Sequence, residues 1–164
     1  RTLPYADETF EVVLAFGLFR NFVAMDVEKA LRETVRVLRP GGALVFSFRA
    51  DNLQNRLFDR LAEHRQRGAH GCTSFHKLNC TARELRIMCT NAGLEVSLQG
   101  REENMPLLYR FPRLRHRSHR TISERRSRVD GYRLSPLASA ITAMCRLIAP
   151  RSFHSLHVTI ARRP

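Results

Sequence analysis

The chain has 164 residues, which suits one domain of ordinary size with its own core. Apolar residues make up 43% and charged residues 26%, which excludes a disordered tail, a collagen-like fibre and a low-complexity segment. Lys and Arg total 28 against 15 acids, a formal +13 carried almost wholly by arginine, since Lys29 and Lys77 are the only lysines.

A basic total of this size suits nucleic acid or anionic lipid, and equally an arginine-biased composition. It bears on solubility and non-specific binding rather than on chemistry. No apolar run approaches the roughly 18 residues that span a bilayer. The chain opens on Arg1 with no signal-peptide core, so it reads as a piece of something longer or as a processed product. Cys72, Cys80, Cys89 and Cys145, without secretory features, read as reduced thiols in a cytoplasmic protein.

The run Val12 to Phe16 is short, apolar and non-alternating, and Gly17 bounds it. That pattern predicts a strand covered on both faces, as in a parallel sheet. Asp26 is the expected cap of the next helix, whose stripe is Val27, Ala30, Leu31, Thr34, Val35 and Leu38. Pro40-Gly41-Gly42 is expected to stop it, and Ala43 to Phe48 is a second buried strand. Strand, helix and strand make a βαβ unit.

A further helix is expected over residues 51 to 67, capped by Asp51, with Leu53, Leu57, Phe58 and Leu61 as its stripe and Gly68 at its end. Thr81-x-x-Glu84 is a capping-box signature ahead of Leu85, Met88, Cys89 and Ala92, with Gly93 at the stop. Leu94, Val96 and Leu98 alternate as a third strand. Residues 101 to 133 are rich in arginine and weak in apolar period. Ser135-Pro136 then caps a helix carrying Leu137, Ile141, Met144, Cys145 and Ile148, and Leu156, Val158 and Ile160 alternate in a last strand. The order is α/β. The last strand follows its predecessor without a βαβ crossover, so an antiparallel course is expected.

The stretches LPYADETFEVVLAFG and ALRETVRVLRPGGALVFSF, in this order and spacing, resemble class I S-adenosylmethionine-dependent methyltransferases of the methyltransferase type 11 group. TARELRIMCTNAGLEV resembles their next helix-strand unit and SLHVTIARRP their closing strand. FGLFRNF resembles the FGLRNV stretch of quinone-biosynthesis C-methyltransferases, with Phe19 interrupting the match. The resemblance implies the C-terminal part of a Rossmann-like seven-stranded sheet, mostly parallel, with its last strand antiparallel between the fifth and sixth. On this reading 1–164 is a partial domain with a basic, helical insert at 101–152. The family's glycine-rich cofactor loop and its ribose-binding carboxylate have no counterpart in the chain.

The implied cofactor is S-adenosylmethionine and the implied acceptor a small molecule or envelope precursor, with the 164-residue chain by itself expected to be inactive. Leu3 is implied beside the adenine, and Phe16, Gly17 and Leu18 along the methionine part. Gly17 has its own physical reason, close backbone approach, although a plain turn uses glycine too. Phe19, Arg20, Asn21 and Phe22 shape an acceptor pocket, or Phe19 and Phe22 simply pack on the next helix. Tyr109 lines such a pocket or is an ordinary surface tyrosine. His70 and His76 are candidate general bases. His70, Cys72, His76 and Cys80 carry zinc-compatible ligand types, yet their spacing matches no common zinc class, so no metal is expected. The rival class is a non-enzymatic basic module that binds nucleic acid or a protein partner. Nucleic acid is not favoured, because few aromatics interleave the arginines. An uncharged strand from Val12 to Phe16 with a missing neighbour would present an edge prone to self-association.

Overall fold

The computed structural model describes residues 2–19, 22–66, 78–102, 106–109, 111–119 and 133–164. The elements are β1 (Phe10–Ala15), α1 (Ala24–Val37), β2 (Leu38–Arg49), α2 (Leu53–Gln66), α3 (Ala82–Ala92), β3 (Glu95–Glu102), the one-turn α4 (Pro106–Tyr109), α5 (Pro136–Ile148) and β4 (Leu156–Arg162). They form two compact units. One holds residues 1–51, 71–102 and 156–164; the other holds 52–70 and 103–155.

The first unit is built on a four-stranded sheet in the order β1-β2-β4-β3. β1 and β2 are parallel, and β4 runs antiparallel to both β2 and β3. The expected antiparallel insertion of the last strand is therefore present. Leu44, Phe46 and Phe48 of β2 are buried with Val27 and Leu31 of α1 and Leu85 and Cys89 of α3 in one core. Both helices belong to one face of the sheet, as the period-two alternation of β2 requires. Thr159 and Ala161 of β4 pair with Phe46 and Leu44 and are buried with them.

Four sequence expectations change. Asp26 sits inside the first turn of α1, and the cap position is Val23, which offers no side-chain bond. Asp26 still favours that end through its charge. Pro40-Gly41-Gly42 does not end the helix; α1 stops at Val37 and the three residues bulge out within β2. Phe10 pairs with Leu38 and Val12 already with Ala43. The bulge is held by the chain's end, with the Gly41 N–H on the Arg163 carbonyl and the Arg163 N–H on the Gly42 carbonyl, both 2.9 Å.

The third change is in β1. It is not covered on both faces: Ala15 is buried, whereas Val12, Leu14 and Phe16 are exposed. The fourth lies in the second unit. Asn52, not Asp51, caps α2 by accepting the Asn55 N–H at 3.0 Å. The predicted stripe of α2 is not its buried side, since Leu53 and Leu57 are exposed and Gln54 and Asn55 are buried. Asn52 Nδ2 donates to the His154 carbonyl at 2.6 Å, and Asn55 Nδ2 to the Ser155 carbonyl at 3.0 Å. Polar ties to the segment before β4 thus select that face over the leucines. Likewise α5 buries Ala138 and Thr142 and exposes Leu137, Met144 and Ile148.

Other signals hold. The Thr81 hydroxyl accepts the Glu84 N–H at 3.2 Å and Glu84 returns a bond from the Thr81 N–H at 2.7 Å, the complete capping box. Gly93 ends α3 in the left-handed region. Ser135 caps α5 with Pro136 at its first position. Val96 faces Ala161, but the register then slips, so Leu98 opposes Ile160 on the other face. Gly68 lies outside the described residues.

Gly42 is the tightest point of this framework. A Cβ there would meet the Arg39 carbonyl at 2.8 Å and the Glu11 carbonyl at 3.1 Å, both backbone. Gly42→Ala should cost about 1–3 kcal/mol in denaturant unfolding. Gly100→Ala, whose Cβ would lie 3.9 Å from the Val158 carbonyl, should change stability by a small fraction of that.

Candidate functional site

The carboxyl ends of β1 and β2 lie side by side, and open α/β sheets bind ligands at such ends. Leaving β1, the chain turns at Gly17, whose φ of +67° lies in the left-handed region. The Gly17 N–H donates to Ser47 Oγ at 2.9 Å, which fastens the turn to β2. A cavity of about 450 Å³ opens here, lined by Phe16, Gly17, Ser47, Arg49, Glu102, Leu156 and Val158. Strand period explains the set: Ser47 and Arg49 are two apart, as are Leu156 and Val158, so each pair shares a face. Register places Arg49 and Glu102 on either side of Leu156, each as its direct partner.

The cavity wall is apolar apart from Ser47, Arg49 and Glu102. Arg49 is only 7% exposed, and its guanidinium donates to Asn79 Oδ1 at 2.7 Å. A buried guanidinium fixed in place favours negative charge nearby, because the surrounding medium screens poorly.

A second groove of about 430 Å³ lies between β1 and α1. Leu3, Tyr5, Phe10, Leu18 and Phe22 line it, and among the described residues Glu33 is the one carboxylate that lines it. Glu33 is already engaged. Its Oε1 accepts from the Leu3 N–H at 2.9 Å and from Arg36 Nε at 3.0 Å. The Arg36 guanidinium and the Leu3 amide hold its carboxyl below the usual carboxylate range. Arg36 also donates to the Leu3 and Tyr5 carbonyls and to Asp7. One arginine thus ties the segment before β1 to α1 and sets where Leu3 lies.

The sequence candidates therefore divide. Phe16 and Gly17 line the cavity; Leu3, Leu18 and Phe22 line the groove. Phe19 also borders the groove but is 1% exposed and is a core residue, edge-on to Phe46 at 5.6 Å and stacked on Phe48 at 6.3 Å between ring centroids. Tyr109 belongs to the second unit. It is buried rather than a surface residue, with the Arg115 guanidinium 5.1 Å from its ring centroid and Arg115 Nε on its carbonyl at 2.6 Å. Arg20, Asn21, His70, Cys72 and His76 lie outside the described residues.

Among the described residues no three His, Cys, Asp or Glu side chains gather as metal ligands. Burial pushes the Cys80 thiol up to about 12 and the Cys89 thiol up to about 11, so both stay protonated at neutral pH. Sequence reading missed Ser47, Arg49, Glu102, Leu156 and Val158. The available signal was the i, i+2 spacing of Ser47 and Arg49 where a buried strand ends.

Comparison with known proteins follows this geometry. Residues 1–46 match the methyltransferase domain family. A demethylmenaquinone methyltransferase of Mycolicibacterium paratuberculosis is 57% identical over 44 residues, which are 26% of this chain and 18% of that protein. One from Thermus thermophilus is 59% identical over 44 residues, again 26% of this chain and 19% of that protein. The chain thus aligns with about a fifth of the length of these curated relatives. A solved S-adenosylmethionine-dependent methyltransferase from Methanosarcina mazei superimposes with a TM-score of 0.59 at 15% identity, covering 99% of this chain and 63% of that one. The fold is that of a class I S-adenosylmethionine-dependent methyltransferase. A methyltransferase from Burkholderia thailandensis, solved with S-adenosylhomocysteine bound, shares this methyltransferase fold at a TM-score of 0.50 and 15% identity, covering 97% of this chain and 46% of that one.

Two outcomes are expected at this site. A side chain at Gly17 meets open space but a strained backbone, so Gly17→Ala should cost about 1 kcal/mol and Gly17→Asn less, measured by denaturant unfolding. The two buried thiols have folded values above the ordinary 9.0. The fold therefore prefers them protonated. Stability should be flat up to about pH 8 and fall as pH rises past 9 toward 12, and Cys89→Ala should flatten that fall.

Proposed function

We propose that the protein transfers a methyl group from S-adenosylmethionine to a small-molecule acceptor, and that the acceptor is a quinone-type ring compound methylated on carbon. The main support is the cavity at the carboxyl ends of β1 and β2, built around the Gly17 turn and its bond to Ser47. The acceptor class rests on the names of the relatives that share the first part of the chain, demethylmenaquinone methyltransferases.

When bound, the cofactor supplies a methyl group made electrophilic by its sulfonium. In this reading Leu3 and Leu18 offer apolar surface to the adenine, and Phe16 and Gly17 follow the methionine part. Ser47 fixes the turn before any ligand arrives, so orientation costs less at the moment of reaction. Phe16, Leu156 and Val158 exclude water from the acceptor. Arg49 faces its anionic oxygen, which pushes electron density to the ring carbon. Bound here, the cofactor would give up its methyl group to the ring carbon and leave as the neutral thioether, and the ring proton would pass to solvent at the cavity mouth. The residues suit the apolar parts of the cofactor. The ribose hydroxyls find no uncommitted carboxylate among the described residues of the groove, because Glu33 is held by Arg36 and Leu3. The 164-residue chain by itself should therefore bind the cofactor weakly.

Labelled methyl transfer from S-adenosylmethionine to a demethylated quinol, assayed on the natural protein, tests this reading. Arg49→Met should lower kcat/KM for the acceptor about tenfold or more, with cofactor affinity unchanged. Calorimetry on the 164-residue chain should give a dissociation constant weaker than about micromolar. Cofactor binding without transfer to any quinol would overturn the acceptor class. No cofactor binding by the natural protein would overturn the activity.

A further inference from the structure

α5 is the most exposed apolar element among the described residues. Leu137 is 66% exposed, Met144 54%, Leu147 86% and Ile148 76%. At 100° per residue, Leu137, Ile141, Met144 and Ile148 fall in one stripe, and Leu147 flanks it. Ala138 and Thr142, about 90° and 130° round the helix from the middle of that stripe, are buried, and Ile141 between them and the stripe's exposed members is half-buried. Leu137, Met144 and Ile148 therefore point to solvent while the small residues pack inward. A stripe so displayed needs a cover.

Charge selects the cover. After Asp130 the chain has no acidic residue, yet it carries Arg133, Arg146, Arg151, Arg162 and Arg163. Of these, Arg133, Arg146 and Arg151 lie in or flank α5 and are exposed. The other large exposed apolar set, Val12, Leu14 and Phe16, sits on a strand bordered by Asp7, Glu8 and Glu11. The two patches thus differ in electrostatic setting: the unit that holds α5, residues 52–70 and 103–155, carries 15 arginines against Asp59, Glu63, Glu103, Glu124 and Asp130. An apolar stripe on a unit with so large an excess of arginine matches an anionic bilayer, where side chains enter the acyl boundary and guanidinium groups meet phosphates. No described helix is long and apolar enough to cross a membrane, so contact would be at the surface.

We propose that α5 is an interfacial helix that seats this protein on anionic lipid through Leu137, Met144 and Ile148. This does not depend on methyl transfer.

The test uses the full 164-residue chain, which contains no tryptophan. Ile148→Trp supplies one reporter in the stripe. With phosphatidylcholine vesicles containing about 30 mol% phosphatidylglycerol its emission should shift to the blue, and brominated acyl chains should quench it. Co-sedimentation with these vesicles should be at least about tenfold stronger than with pure phosphatidylcholine, and should weaken in about 0.5 M salt. The triple variant Leu137→Ser, Met144→Ser and Ile148→Ser keeps every charge and should lose at least about tenfold in vesicle affinity. Equal affinity of the triple variant would overturn the proposal, because net charge alone would then explain binding. An unshifted, unquenched reporter would overturn it even if the triple variant failed to fold. A lipid-free dimer that the triple variant abolishes would show that a second copy covers the stripe instead.

Discussion

The sheet depends on one strand inserted from the far end of the chain. β4 pairs from Leu156 to Arg162 with β2 on one side and β3 on the other, both antiparallel. In the strand order β1-β2-β4-β3, β4 stands between β2 and β3. Each pairing closes a long loop before any ladder bond rewards it, so this step sets the entropic cost of the fold. It also makes the cavity. Leu156 and Val158 are the floor between Arg49 and Glu102, and neither charged residue would have its neighbour without β4.

The end of β4 is locked by arginine rather than by further apolar burial. Arg163 donates to the carbonyls of Val35, at 3.2 Å, and Leu38, at the end of α1, and pairs with Glu8 at 2.9 Å. Helix carbonyls left without intrahelical partners need such donors. Arg36 does similar work for the carbonyls of Leu3 and Tyr5, and Arg115 for that of Tyr109. A guanidinium with five donors in a fixed plane suits this role better than an ammonium. Part of the arginine excess therefore serves backbone carbonyls.

Local signals were legible where one residue decides the conformation. The capping box at Thr81 and Glu84, the left-handed stop at Gly93 and the Ser135-Pro136 start follow from short-range chemistry. Pro40-Gly41-Gly42 was misread because the same residues serve a helix stop and a bulge. Only the long-range bonds to Arg163 decide between them. The stripes of α2 and α5 were misread for a related reason. Periodicity finds the apolar side of a helix but not which side the neighbours cover. In α2 that was settled by Asn52 and Asn55 reaching the carbonyls of His154 and Ser155, which no local pattern announces. Phe19 was open between pocket and core, and three aromatic contacts with Phe22, Phe46 and Phe48 place it in the core.

Fold alone cannot choose the chemistry. A structure described as a [4+2]-cyclase superimposes on this chain with a TM-score of 0.55 at 19% identity, covering 99% of it and 53% of that chain. The discriminating residues must lie where relatives with one fold differ. The family match ends at residue 46 and includes only Phe16 and Gly17 of the cavity wall. Ser47, Arg49, Glu102, Leu156 and Val158 all come from beyond it. They reach the cavity through strand period and through the β4 insertion, not through a contiguous motif. This part of the wall carries both charges of the lining, Arg49 and Glu102 on either side of Leu156, in surroundings otherwise apolar but for Ser47, so β4 sets the charge and the shape of the cavity together.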